Sequence, residues 1–232
     1  MTHRTGPTAF VGNDVVDLDD PRCQGKAADA RFLQRIFTRE ERERIQEAGD
    51  PDHSLWVQWA AKEAAFKVVS KVLGTPPSFR HTDFRVEFSE EGLGAVAYGE
   101  LLIPFDDIPT FASDRIHVLA WSGSRSVAEG ELEIGIAVLD PDEPSPEARL
   151  SERERASVHS TASAWVRVHA REHAARLLGA EEGGLEIVCD PGPSGRVPPR
   201  LLAGGEPIPV DVTLSHHGRF VAWALRAGGS GG

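Results

Sequence analysis

Long apolar runs are missing from this chain. No stretch approaches the roughly 18 apolar residues that a membrane-spanning helix needs, so no membrane span is expected. Cysteine is scarce: Cys23 and Cys189 are too few for a disulfide framework and wrongly spaced for zinc, which makes a reducing cytoplasm the expected setting. The segment Met1–Pro7 lacks the apolar stretch of a secretory signal. Positive charge is also in deficit, and a formal net charge of −11 argues against a general nucleic-acid binder. What remains is 232 residues with 40% hydrophobic content, enough for one large domain or two small ones.

The chain is written twice. Trp56-Val-Gln-Trp-Ala-Ala-Lys-Glu-Ala-Ala-Phe-Lys67 lies without a gap over Trp165-Val-Arg-Val-His-Ala-Arg-Glu-His-Ala-Ala-Arg176. Lys62 then meets Arg171, Glu63 meets Glu172 and Lys67 meets Arg176. Upstream, Phe37-Thr-Arg-Glu-Glu-Arg42 matches Leu150-Ser-Glu-Arg-Glu-Arg155, and the segment from Gly12 to Pro21 matches that from Gly135 to Pro144. Downstream, Val118-Leu-Ala-Trp-Ser-Gly123 is laid over Thr213-Leu-Ser-His-His-Gly218. Four segments recurring in one order predict an α+β unit duplicated and fused, with halves at 8–130 and 131–226 and a flexible tail at 227–232.

Each half reads alike. A buried strand around Ala9–Val16 precedes a charged helix from Asp29 to Ala48, ended by Gly49-Asp-Pro51. The next helix, Ser54 to Leu73, carries Leu55, Trp59, Phe66, Val69 and Leu73 on one face, and Gly74 with Pro76-Pro77 stops it. Strands are expected at Phe84–Phe88, Ala95–Tyr98 and Ile116–Trp121. In the second half, a helix from Thr161 to Leu178 leads to strands at Leu185–Val188, Val210–Leu214 and Phe220–Leu225 around a long Pro/Gly-rich loop, Pro191–Pro209.

Chemistry is expected where the repeats disagree. Asp14 is matched by Ala137, so Glu172 lacks the acidic partner that Glu63 has, while the second half alone has Ser215-His216-His217. A composite site between two diverged units would look like this. Asp14, placed at a strand end after Gly12, and Glu63 on a helix offer two carboxylates to Mg²⁺, which fills its octahedron with water and substrate phosphate. Lys62 and Lys67 flank Glu63 and suit phosphate charge. Blander readings stand beside these: Glu63 and Lys67 as a surface i,i+4 ion pair, Asp14 as a cap, Ser215-His216 as an idle turn, Arg196 and Arg200 as solvated, and Arg171 and Glu172 as structural remnants.

These residues resemble the 4′-phosphopantetheinyl transferase superfamily, whose Gly-x-Asp strand and Lys-Glu-Ala-x-x-x-Lys helix stand here as Gly12-Asn-Asp14 and Lys62-Glu63-Ala-Ala-Phe-Lys67. The second half is similar to the coenzyme A-binding half of the longer, surfactin-synthetase-activating type, through the Arg167–Arg176 helix, Gly195-Arg196-Val-Pro198 and Thr213-Leu-Ser215-His216. The halves stand in reversed order relative to that type. The resemblance implies a pseudo-dimer, expected to be a monomer in solution, with one active site between its halves. It implies Mg²⁺ on Asp14 and Glu63, with Asp17 as a third ligand only if the strand has ended by then, since i and i+3 of a strand face opposite ways. Lys62 and Lys67 would stabilise the phosphates and Glu63 would take the proton. Ser215, His216, Arg196 and a helix arginine, Arg171, would hold the nucleotide end of coenzyme A. The implied reaction moves phosphopantetheine to a serine of an acyl, polyketide or peptidyl carrier protein and releases 3′,5′-ADP. The alternative is a non-catalytic member that binds coenzyme A or a carrier protein, with a metal-dependent phosphohydrolase behind it. A basic patch of Arg31, Arg35, Arg39, Arg42 and Arg44 would offset the acidic net charge for an acidic carrier.

Overall fold

The computed structural model describes residues 9–108, 113–123, 130–140, 142–192 and 195–228. In chain order these form β1 (Val11–Asp17), α1 (Ala30–Ile36), α2 (Arg39–Glu47), α3 (Pro51–Leu73), β2 (Arg85–Phe88), β3 (Gly94–Tyr98), β4 (Leu101–Asp107) and β5 (Arg115–Trp121). There follow β6 (Leu132–Val138), α4 (Glu152–Arg155), α5 (Thr161–Leu178), β7 (Leu185–Val188), β8 (Pro191–Gly192), β9 (Gly195–Arg196), β10 (Arg200–Ala203), β11 (Glu206–His217) and β12 (Phe220–Ala227). The expected start at Thr8 and the tail beyond 228 lie outside the described residues, and Ala227 belongs to β12.

The mixed α+β expectation holds. One antiparallel sheet runs β1-β5-β4-β3-β2 and a second runs β6-β12-β11-β10-β7, the same order strand for strand. That order corrects one repeat alignment. β5 and β12 each pair with the first strand of their sheet, so β5 corresponds to β12, and β4 corresponds to β11. Val118–Gly123 therefore has no structural counterpart in Thr213–Gly218. Asp106 opposes Leu119, which opposes Asn13; Ser215 opposes Ala222, which opposes Ile136. The counterparts of Ser215 and His216 are thus Asp106 and Asp107. Asp14 and Ala137 keep their predicted match, opposite Val118 and Val221.

The predicted helix Asp29–Ala48 is two helices. Thr38 accepts from the Glu41 N–H while the Glu41 carboxylate accepts from the Thr38 N–H, a capping box that starts a new helix inside the charged run. Ser151 and Glu154 repeat it at α4. Pro51, expected as a stop, is instead the first residue of α3, capped by Asp50. On the predicted face Leu55 and Val69 are buried, but Leu73 is 50% exposed. The tight seam comes from Ala60, Ala61, Ala64 and Ala65, all without exposed surface. They let α3 lie so close to β1 that a Cβ on Gly12 would fall 2.1 Å from the Ala64 carbonyl oxygen. Strand β4, carrying Pro104, was not foreseen, nor were the strands within the predicted loop Pro191–Pro209, where Gly204 and Gly205 turn β10 into β11 with φ of 57° and 85°.

β1 lies at the edge of its sheet, and its outward N–H groups need partners. Alternate residues of β11 supply them. Val11 donates to Asp211 Oδ2 (2.7 Å), Asn13 to Thr213 Oγ1 (3.2 Å), Val15 to Ser215 Oγ (3.2 Å) and Asp17 to His217 Nδ1 (3.1 Å). The intervening Val212 and Leu214 pack in the second core beneath α5. Apolar contacts of Val11 and Val15 with Phe220, Ala222 and Ala224 complete the junction. Lys71, 4% exposed at its side chain, ties both parts by donating to Val11 O, Val212 O and Asp211 Oδ2 at 2.7–2.8 Å.

Candidate active site

Asp14 sits in the middle of β1, not at its end, and points to the α3 side with Gly12. Its Oδ1 accepts from Ser215 Oγ at 2.7 Å and from Lys67 Nζ at 3.2 Å, while Lys67 also donates to the Asn13 carbonyl at 2.6 Å. Burial pushes the Asp14 carboxyl above its ordinary value; Lys67 opposes this, and the nearby Glu63 charge adds to it. Glu63 projects from α3 with Oε1 3.5 Å from His81 Nε2. Asp14, Glu63, Lys67 and Ser215 therefore come together, from both halves of the sequence.

Beside them opens a cavity of about 250 Å³ between α3, α5 and β11, lined by Phe66, Lys67, His159, Arg167, Cys189 and His216 among others. His216 titrates at about 4, through burial first and then the charges of His159, Lys67 and Arg167, so it is neutral near pH 7. Arg167 is held by Ser163 and Ser157 at 2.7–3.0 Å.

Three expected site residues, Lys62, Arg171 and Asp17, lie elsewhere. Lys62 has no exposed surface, and its three donors go to Glu41 Oε2, His81 O and Phe84 O at 2.6–2.9 Å, leaving none for a phosphate. Being next to Glu63 on a helix turns it about 100° away, into the core. Arg171 copies this arrangement, bonding Glu154, Glu182 and the Arg149 carbonyl, and does not reach the cavity. Asp17 ends a strand that is extended throughout. It faces away from Asp14 and is gripped by the Arg219 side chain and N–H, with Oδ2 of Asp17 2.3 Å from where a Gly218 Cβ would be. Glu172 pairs with Arg149 at 2.6 Å. Arg196 closes β9, next to the cavity-lining Val197, and its side chain lies outside the described residues.

The residues not foreseen are Arg167, His159, His81, Lys71 and Asp211. The polar alternation Asp211, Thr213, Ser215, His217 was a signal for β11 as a bridging strand. Nothing local marked His159 or His81.

Among the described residues no three His, Cys, Asp or Glu side chains gather for a metal. Asp14 and Glu63 are two carboxylates, and such a pair with water and substrate oxygens is a donor set that Mg²⁺ takes.

A family model described as the 4′-phosphopantetheinyl transferase superfamily matches residues 10–117, the segment that carries Asp14, Glu63 and Lys67. The chain is 42% identical over 65 residues to a holo-[acyl-carrier-protein] synthase of Chlamydia muridarum, covering 28% of this chain and 49% of that protein. The Chlamydia caviae protein of the same name is 38% identical over 68 residues, 29% of this chain and 52% of that one. The chain thus spans about half the length of these two relatives. The Hydrogenovibrio crunogenus holo-[acyl-carrier-protein] synthase is 29% identical over 116 residues, 50% of this chain and 84% of that protein. The crystal structure of holo-[acyl-carrier-protein] synthase from Neisseria meningitidis aligns at a TM-score of 0.40 and 21% identity, over 50% of this chain and 98% of that one. No helix among the described residues is long and apolar enough to cross a membrane.

Proposed function

We propose that this protein is a member of that superfamily and moves 4′-phosphopantetheine from coenzyme A to a serine of a carrier protein, at one site between the units 8–130 and 131–226. The observation that carries it is the bond from Ser215 Oγ to Asp14 Oδ1, which sets the acidic end supplied by α3 and β1 against the cavity supplied by α5 and β11. The names of the curated relatives agree with this chemistry.

In this reading Lys67, 27% exposed and lining the cavity, stands beside the diphosphate and stabilises charge as it shifts to the leaving group. Arg167 supplies the permanent positive charge for the nucleotide phosphates, and neutral His216 offers a hydrogen bond and a ring face. Asp14 and Glu63 would hold Mg²⁺, which when bound neutralises diphosphate charge. The carrier serine oxygen attacks the β-phosphorus, the bond from that phosphorus to the bridging oxygen breaks, and 3′,5′-ADP departs. Glu63 accepts the serine proton.

The proposed carrier-facing patch narrows to Arg31, Arg35 and Arg39, all exposed. Arg42 and Arg44 are engaged with the Phe37 and Val86 carbonyls. We read the chain as a monomer, because the internal pairing already satisfies the β1 edge, and as cytoplasmic, in keeping with its two cysteines, which form no disulfide.

Incubation with apo-carrier protein, coenzyme A and Mg²⁺, followed by intact-mass measurement of the carrier, tests the function. A gain of one phosphopantetheine is expected. Carrier binding without mass gain favours a non-catalytic scaffold, and release of ADP without a carrier favours a phosphohydrolase.

A further inference from the structure

The mechanism above leaves His81 unused, although its surroundings are specific. The ring lies between Trp59 and Phe79, with centroids 4.6 and 4.3 Å away. Its carbonyl is fastened by buried Lys62, and the turn it opens, His81–Asp83, leads into Phe84, whose carbonyl Lys62 also holds. Ring and backbone are thus both fixed. Nε2 is shielded from solvent and makes no hydrogen bond, which is costly for a polar atom inside a protein. Glu63 Oε1 stands 3.5 Å from it.

We infer that His81 is a positioning residue: its Nε2–H orients the Glu63 carboxylate so that one oxygen stays on the imidazole and the other is presented toward Asp14. Partners of this kind behind a ligating carboxylate fix its orientation and raise affinity for the ion. Lys62 then has a function after all, at one remove. It anchors the turn that carries His81, which explains why a lysine beside Glu63 is sunk in the core. The inference rests on the reading of Asp14 and Glu63 as a divalent-cation site.

The test uses the full chain, with Mn²⁺ as a spin probe titrated in the presence of saturating coenzyme A. His81→Phe keeps the aromatic stack and removes the donor, and His81→Gln restores a donor near the Nε2 position. His81→Phe is expected to weaken Mn²⁺ binding by about 10-fold or more, and His81→Gln to recover most of it. Unchanged binding in His81→Phe, or equal loss in both variants, overturns the role of His81. A wild-type protein that binds no Mn²⁺ overturns the two-carboxylate site itself, a separate and distinguishable failure.

Discussion

The two halves share a scaffold and differ in chemistry. Each has a capping box whose glutamate, Glu41 or Glu154, also accepts from a strand N–H, that of Val86 or Ile187. Each glutamate receives a buried cation from the long helix, Lys62 in one and Arg171 in the other, at 2.8 and 2.7 Å. One residue further along the helix the likeness ends. Glu63 reaches toward Asp14 and His81, whereas Glu172, opposite Ala137 in the repeat, pairs with Arg149 and His169. A residue that keeps its partners in both repeats thus marks the shared scaffold, and one whose partners differ marks where the two halves diverge.

The largest effect should come from breaking that asymmetry. Glu63→Gln is expected to lower carrier modification by roughly 10²–10³-fold or more with the fold intact, while Glu172→Gln leaves it near wild type, both read by the initial rate of carrier mass gain. Asp14→Ala should match Glu63→Gln. The shared scaffold should instead respond in stability. Lys62→Met and Arg171→Met each leave a buried glutamate unpaired and are expected to cost about 3–5 kcal/mol in urea unfolding. Weakened coenzyme A binding with unchanged Mn²⁺ binding in stable Lys62→Met protein would return Lys62 to the phosphates.

A smaller effect concerns pH. His117, 1% exposed, titrates at about 4 because of burial and then the Lys67 charge, against an ordinary value of 6.5. The unfolded chain therefore binds more protons between these values. Stability is complete above about 6.5 and declines as pH falls toward about 4. His117→Gln should flatten that decline by close to one proton in urea titrations across the range. His216, also at about 4, contributes with the same sign.

Much of the fold was legible because helical spacing and repeat matching depend on local pattern. The α+β class, α3, α5 and the grouping of Asp14, Glu63 and Lys67 could be reached that way, whereas Ser215 was singled out by a repeat alignment that the strand order corrects. Charge alone, without the capping box at Thr38, hid the break between α1 and α2. Pro104 and the Pro/Gly density of Pro191–Pro209 hid β4 and β10. Lys62 and Arg171 were misplaced because a motif gives residue types but not the 100° of helix rotation that separates neighbours. Arg167 was the arginine that faces the cavity, and only the packing of α5 on β11 shows it.

A structure of the protein with coenzyme A and Mg²⁺ bound tests the central claim most directly. The account predicts the ion between Asp14 and Glu63, the diphosphate against Lys67 and the nucleotide against Arg167 and His216. Density for the nucleotide along α5 near Glu172, or for the ion beside Asp17, would contradict it.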